Sequence, residues 1–199
     1  VLTGKAGSGK TQLAIAVAVD LLFKGEIKKI FITRPLVTRE EIGFLPGGIE
    51  EKLDPFLIPI YDCLKNLYAD EEKVKNLLKD KTVEICPIAY MRGRTITDAV
   101  LIVDEVQNMD IDSIELCLTR LGMNGKIILC GDEKQVDLKA NSKSGLGLLA
   151  KFCGKVNGFV CVKLLQNHRD PIVDEILREF EILRTETEIN KVLHYKKTA

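Results

Sequence analysis

The sequence predicts an α/β fold, a mostly parallel sheet with helices on both faces, and three observations carry that prediction. Short apolar runs alternate with longer stretches of helical period, the order that strands and crossover helices take in a parallel sheet. The most continuous runs, such as Ala99–Val103, are rich in Val, Ile and Leu without polar alternation, as strands covered on both faces require. A glycine-rich turn from Gly4 to Gly9 joins the first strand-like run to the first helical one.

In chain order the strands are expected at 1–3, Lys29–Thr33, Thr82–Cys86, Ala99–Val103, Lys126–Cys130 and Gly158–Leu164. The helices are expected at Thr11–Phe23, Pro55–Tyr68, Glu71–Leu78, Ile111–Leu121, Ser144–Phe152 and Ile172–Arg184. The stretch Asp70–Asp80 is charged at most positions and reads as a solvated helix or an insertion. After Arg184 the chain turns polar, so one domain over 1–184 with a frayed tail at 185–199 is expected. There is no internal repeat and no low-complexity tract. The chain opens three residues before Gly4, without a methionine and inside a strand-like run, and reads as a fragment.

With 199 residues, 46% hydrophobic and 29% charged, the chain has enough apolar content for one real core. No run of eighteen apolar residues spans a bilayer, and neither a signal peptide nor a transit signature is visible. The expectation is a cytoplasmic protein with no membrane partner. Twenty-nine basic residues balance twenty-nine acidic ones, which excludes a highly basic coat protein but leaves room for a local basic stripe. The six cysteines form no CxxC pair, and His168 and His194 are not spaced as zinc partners to them. Reduced, mostly buried thiols are expected, with Cys86, Cys130 and Cys161 in or beside apolar runs.

Gly4-Lys5-Ala6-Gly7-Ser8-Gly9-Lys10-Thr11 fits G-x-x-x-x-G-K-[ST] between a strand and a helix, the context in which this motif binds phosphate. Its glycines let backbone amides turn inward, and the helix N-terminus adds its positive dipole end. Lys10 would reach the β- and γ-phosphates, and the Thr11 hydroxyl would bind magnesium. By accident the pattern arises in about one chain per hundred of this length, and the strand–loop–helix frame cuts that further.

Ala99–Val103 ends in Asp104 and Glu105. A magnesium-bound nucleotide needs a carboxylate at a strand's carboxyl end, and Asp104 suits it. Glu105 would polarise the attacking water as general base. There is no NKxD motif and no LSGGQ run, which disfavours switch GTPases and transporter-type ATPases. Beyond the strand at Lys126–Cys130, Gln135 has the donor and acceptor capacity to contact both γ-phosphate and water. Gln107 would relay the state of Glu105 toward a bound polymer. For either glutamine the alternative is an exposed loop amide.

The series GKAGSGKT, VDEVQN and GDEKQ resembles motifs I, II and III of superfamily 1 helicases. More specifically, the chain is similar to the PhoH family of ATPases. The matching stretches are Arg34 to Val37, Gly43 to Gly47, Glu50 to Pro55, Pro87 to Ile96 and Gly131 to Leu138. The resemblance covers residues 1 to about 180, and the block PIAYMRGRT is very specific. The resemblance implies a RecA-like P-loop domain, ATP and Mg²⁺ as cofactors, hydrolysis, RNA association and a homo-oligomer, with a hexameric ring as one form. Two departures stand out. The loop Val37–Gly43 is a residue short, which leaves Glu40 and Glu41 without a role, and Val106 stands where alanine is usual. On this resemblance, the family's upstream segment, which would touch the adenine, is expected to lie outside this chain.

A guanidinium that meets charge developing on the γ-phosphoryl group accelerates hydrolysis. Arg34, Arg92, Arg94, Arg120 and Arg169 are candidates. Arg169 ranks first, because it resembles the family's arginine near the nucleotide and precedes a helix that Pro171 would open. The alternative is a turn arginine paired with Asp170, and His168 reads as a structural turn residue. Superfamily 1 motors place nucleotide between two RecA-like domains, and 199 residues supply one, so a neighbouring subunit would complete the site. For RNA or single-stranded nucleic acid, Arg34, Arg39, Arg92, Arg94, Tyr90 and Phe44 form a candidate set. The alternative is that the aromatics lie in the core and the arginines hold phosphate or acids.

The reading is Mg²⁺-dependent ATP binding and hydrolysis coupled to RNA binding or remodelling. One rival is a ring-forming module switched by ATP, with incidental turnover. A second is a P-loop kinase, against which Glu105 and the GDEKQ loop argue.

Overall fold

A computed structural model describes residues 1–35, 49–68, 70–132, 135, 144–173, 175–176, 178–180 and 182–183, with the backbone alone described at 49–57. Six strands form one sheet, all pairs parallel. They are β1 (Leu2–Gly4), β2 (Lys29–Thr33), β3 (Val83–Ile85), β4 (Ala99–Val103), β5 (Lys126–Gly131) and β6 (Val162–Leu164), in spatial order β3-β2-β4-β5-β1-β6. The helices described are α1 (Lys10–Phe23), α2 (Ile49–Tyr68), α3 (Glu71–Lys79), α4 (Ile111–Leu118) and α5 (Leu146–Leu149).

Period-two alternation sends the central strands' side chains to two apolar layers. Ile30, Ile32, Val100 and Ile102 meet Ala14, Ile15, Ala18 and Val19 of α1, with Ile60, Leu64 and Val74 beyond. Phe31, Leu101, Val103 and Leu129 meet Met91, Ile96, Ile114, Cys117, Leu146 and Leu149 on the other face. Both faces are dry, which explains the unbroken apolar runs. Two alanines in the buried stripe of α1 let that helix lie close against the sheet.

Most elements fall where the spacing predicts, and the differences have local causes. Helix α2 starts at Ile49, so Pro55 lies inside it and does not open it. Pro55 and Pro59 each withhold one backbone donor from its ladder. Helix α4 stops at Leu118, because Ile96 takes over the backbone beyond it: Ile96 N–H donates to Arg120 O and Ile96 O accepts in turn from Gly122 N–H. The expected helix 144–152 is split into α5 and a 3₁₀ turn at Ala150–Phe152. Helix α3 is the solvated helix expected, capped by Asp70, whose carboxylate accepts from the amides of Glu72 and Lys73. Strand β6 is three residues long and forms the sheet edge, with β1 as its one neighbour among the described residues. Cys161 just before it is therefore half-buried. Cys86, Cys117 and Cys130 are buried, Cys153 is exposed, and all six thiols are free.

Among the described residues no helix is long and apolar enough to cross a membrane. The chain divides into two compact units, Val1–Gln166 and Asn167–Ala199. In the second, Asp170 Oδ1 accepts from Ile172 N–H at 3.0 Å and Pro171 opens a run of helical positions. The expected tail at 185–199 lies outside the described residues.

Candidate nucleotide site

In a parallel sheet every strand's carboxyl end lies on the same edge, and that edge is where ligands bind. Here it gathers the loop after β1, Arg34 after β2, Asp104 and Glu105 after β4, and Asp132 after β5. Strands β1 and β4 are not neighbours; β5 lies between them. The tip of β5 therefore sits between the glycine-rich loop and the acidic pair.

The loop closes through Ser8 N–H on Lys5 O (3.1 Å), and Gly7 and Gly9 hold φ of 83° and 80°, open to glycine at little cost. A Cβ on Gly4 would stand 2.6 Å from Ser8 Oγ and 2.9 Å from Leu164 O, so the residue must be glycine. Gly9 offers no side-chain cap, which leaves the first amides of α1 unclaimed by a side chain. The Lys10 ammonium donates to the carbonyls of Gly4 (2.8 Å) and Lys5 (3.0 Å), folded across the loop.

Thr11 Oγ1 donates to Asp104 Oδ1 at 2.8 Å. Asp104 is 5% exposed. Burial pushes its carboxyl above the ordinary carboxylate range, opposed by the Thr11 hydroxyl. A buried carboxylate beside a hydroxyl is a hard-oxygen set, the donor chemistry that suits Mg²⁺. Ser8 Oγ, buried in the loop, has no hydrogen-bond partner among the described residues. The loop amides, Lys10, Thr11 and Asp104 thus fit a magnesium–nucleoside phosphate.

Glu105 adopts a left-handed backbone, φ 54° and ψ 40°, a conformation that costs a non-glycine residue about 1–2 kcal/mol. Its side chain is held from two sides. Arg34 Nη2 donates to Oε1 at 3.2 Å, and Gln107 Nε2 donates to Oε2. Gln107 is 1% exposed, and its Oε1 accepts from Asp132 N–H at 3.0 Å. The amide therefore ties the tip of β4 to the tip of β5. Gly131 permits this approach, since a Cβ there would lie 3.1 Å from Gln107 Oε1 and 2.8 Å from Leu146 Cδ2.

Other sequence candidates sit elsewhere. Gln135 is exposed, in a turn its N–H closes on Asp132 O at 3.2 Å. Arg169 belongs to the second unit, where its N–H donates to Asn167 Oδ1 and Asp170 serves as helix cap. Arg94 is bound to Glu84, which also accepts from Lys29 at 2.7 Å, and both cations flank the Phe31 ring. Tyr90 and Arg92 are exposed in and beside the 3₁₀ turn after β3, so Tyr90 is not a core residue. Arg39, Glu40, Glu41 and Phe44 lie outside the described residues. Sequence reasoning missed that Arg34 pairs with Glu105; both follow strands that are neighbours in the sheet. The signal was the matched ends of two runs, legible once β2 is set beside β4.

This sheet order, with a glycine-rich loop on one strand and an acidic pair two strands away, defines a RecA-like P-loop domain. The chain belongs to the PhoH family: the model for PhoH-like proteins matches residues 1–181. It is 42% identical over 181 residues to a PhoH-like protein of Bacillus subtilis, covering 89% of this chain and 56% of that one. It is also 42% identical to a PhoH-like protein of Synechocystis, at 89% and 55% coverage. With the protein PhoH of Escherichia coli it shares 43% over 146 residues, 72% of this chain and 41% of the other. The chain thus spans about half the length of these relatives. A Sulfolobus solfataricus SWI2/SNF2 ATPase core, solved in complex with dsDNA, matches with a TM-score of 0.43 at 18% identity, covering 82% of this chain and 39% of that one. A likeness that loose carries no weight for function.

Proposed function

We propose that this domain binds ATP with Mg²⁺ and hydrolyses it, and that single-stranded RNA sets the rate. The observation that carries the reading is the Thr11–Asp104 contact, with Glu105 next in sequence. It sets a magnesium-type oxygen pair at the mouth of the phosphate loop with a carboxylate beside it. Thr11 and Asp104 would hold Mg²⁺, which when bound would screen phosphate charge and orient the terminal phosphate. Lys10 would leave its two carbonyls for the β- and γ-oxygens, and the backbone from Gly4 to Gly9 would cradle them. Glu105 would accept the proton of the attacking water. Gln135 would contact the γ-phosphate, and Arg169 would supply charge to the site of a neighbouring copy in a homo-oligomer, a hexameric ring among the possible forms. Exposed Tyr90 and Arg92 lie on the same sheet edge and suit a stacked, phosphate-bearing strand. A cytoplasmic setting without a membrane partner belongs to the same reading.

The test is ATP hydrolysis by the full-length protein with and without single-stranded RNA, beside Lys10→Ala. A several-fold rise with RNA, absent in the variant, supports the reading; flat turnover counts against RNA coupling. One observation favours the rival in which ATP orders a binding module: both oxygens of Glu105 are engaged by side chains. Glu105→Gln separates the two, since a motor loses its function and a switch keeps it.

A further inference from the structure

We propose that Arg34 holds Glu105 in reserve, and that a phosphate of bound polynucleotide releases Glu105 by taking the Arg34 guanidinium for itself. The proposal deepens the RNA-coupled reading above and rests on it.

The two groups that hold Glu105 differ in kind. Gln107 is fully buried, and its own oxygen is fixed by Asp132 N–H, so it forms a rigid wall on one side. Arg34 is a long side chain, 28% exposed, at the end of β2, and reaches Oε1 with one nitrogen at 3.2 Å. A carboxylate that is to polarise water must turn an oxygen toward that water, and while both anchors persist neither oxygen of Glu105 is free to turn. Of the two anchors, solvent reaches Arg34, and Arg34 is the one that can exchange its partner.

A guanidinium carries five donors in a planar fork and matches a phosphate bidentately, a stronger contact than the single-nitrogen one it makes here. Arg94 cannot serve in this way. It is committed to Glu84 in a cluster with Phe31 and Lys29, the first residue of β2, whereas Arg34 follows the last. Arg34 is thus the arginine whose present acceptor is the candidate base itself. Arg34 acts through Glu105 and is a positioning residue; a polyanion that engages it changes turnover without touching the nucleotide.

The test compares the full-length protein with Arg34→Ala and Arg34→Lys, each with and without a saturating single-stranded RNA oligonucleotide. Binding of the labelled oligonucleotide is followed by anisotropy across a salt series. Arg34→Ala is expected to hydrolyse ATP about two- to fivefold faster than wild type without RNA, the range a half-exposed ion pair controls. Added RNA then raises its rate less than in wild type, and its salt slope for RNA falls by about one. Arg34→Lys, which keeps a charge without the fork, lies between the two. A basal rate in Arg34→Ala that is unchanged or lower, at an unchanged melting temperature, overturns the proposal. Should wild type not respond to RNA, the RNA-coupled reading fails and the release by phosphate falls with it. The clamp on Glu105 is then upheld by a raised basal rate in Arg34→Ala and overturned by its absence. If Arg34→Ala melts early, Arg34→Met keeps the apolar stem and decides by the same comparison.

Discussion

The Thr11 hydroxyl donates to Asp104 Oδ1 at 2.8 Å across 93 positions of sequence. The contact joins the first turn of α1 to the end of β4, although β5 separates β4 from β1, the strand that leads into α1. It is possible because the first residues of α1 and the end of β4 converge on one edge of a parallel sheet. That convergence is what turns two separate sequence motifs into one site.

Asp104 predicts a pH-dependent stability. Burial raises its carboxyl above the usual value of 3.8, so the folded state disfavours the charged form. The resulting cost is absent well below pH 3.8, sets in as pH rises through that value and is complete above the raised folded value. Asp104→Asn removes the cost while Asn still offers Oδ1 to Thr11. Without nucleotide, its melting temperature should match or exceed wild type at pH 7, and the gap should close toward pH 3.5. A variant that melts well below wild type at pH 7 refutes this.

Lys10 donates to two loop carbonyls, that of Lys5 exposed and that of Gly4 part-buried, and its aliphatic stem lies outside the core clusters. Lys10→Ala should therefore melt close to wild type. Its ATP turnover should fall by about 10²-fold or more, as when a preorganised donor to a charged transition state is removed. Melting curves and steady-state rates on the same preparation check both halves.

Gln107 predicts a loss of another sort. Gln107→Leu leaves the Asp132 N–H buried without its acceptor, at a cost of about 1–3 kcal/mol. It also removes the rigid wall that aims the Glu105 carboxylate, which release from Arg34 alone would leave in place. Denaturant titration should show reduced stability, and ATP turnover should fall while affinity for a fluorescent ATP analogue stays within about twofold. An equal fall in affinity would mean that Gln107 shapes the nucleotide cradle and not the base.

Gly4 closes the loop against β6. Gly4→Ala places a methyl 2.9 Å from the Leu164 carbonyl, and a backbone atom cannot step aside as a flexible side chain would. A loss of about 1–3 kcal/mol is expected, together with weakened nucleotide binding. Unaltered thermal melting would show that the β1–β6 pairing yields more easily than the geometry implies.

Much of the fold was legible in the residues alone. The phosphate loop, the acidic strand end and strands β2 and β4 to the residue come from short-range chemistry: a glycine turn, a run of β-branched residues, an acid at its end. The start of α2 was not legible, because two prolines inside a helix contradict local preference. The end of α4 depends on Ile96, more than twenty residues upstream.

The chain's own order of residues settles which groups are available to hold phosphate and magnesium, since their spacing within one loop and one strand end is local. The order of strands settles how those groups are used. It puts β5 between the two motifs, brings Arg34 against Glu105 from the neighbouring strand, and buries Gln107 beneath the tip of β5. These contacts join residues tens of positions apart, and no local propensity encodes them. They depend on which strand pairs with which, and that choice is made by packing both apolar faces of the sheet at once.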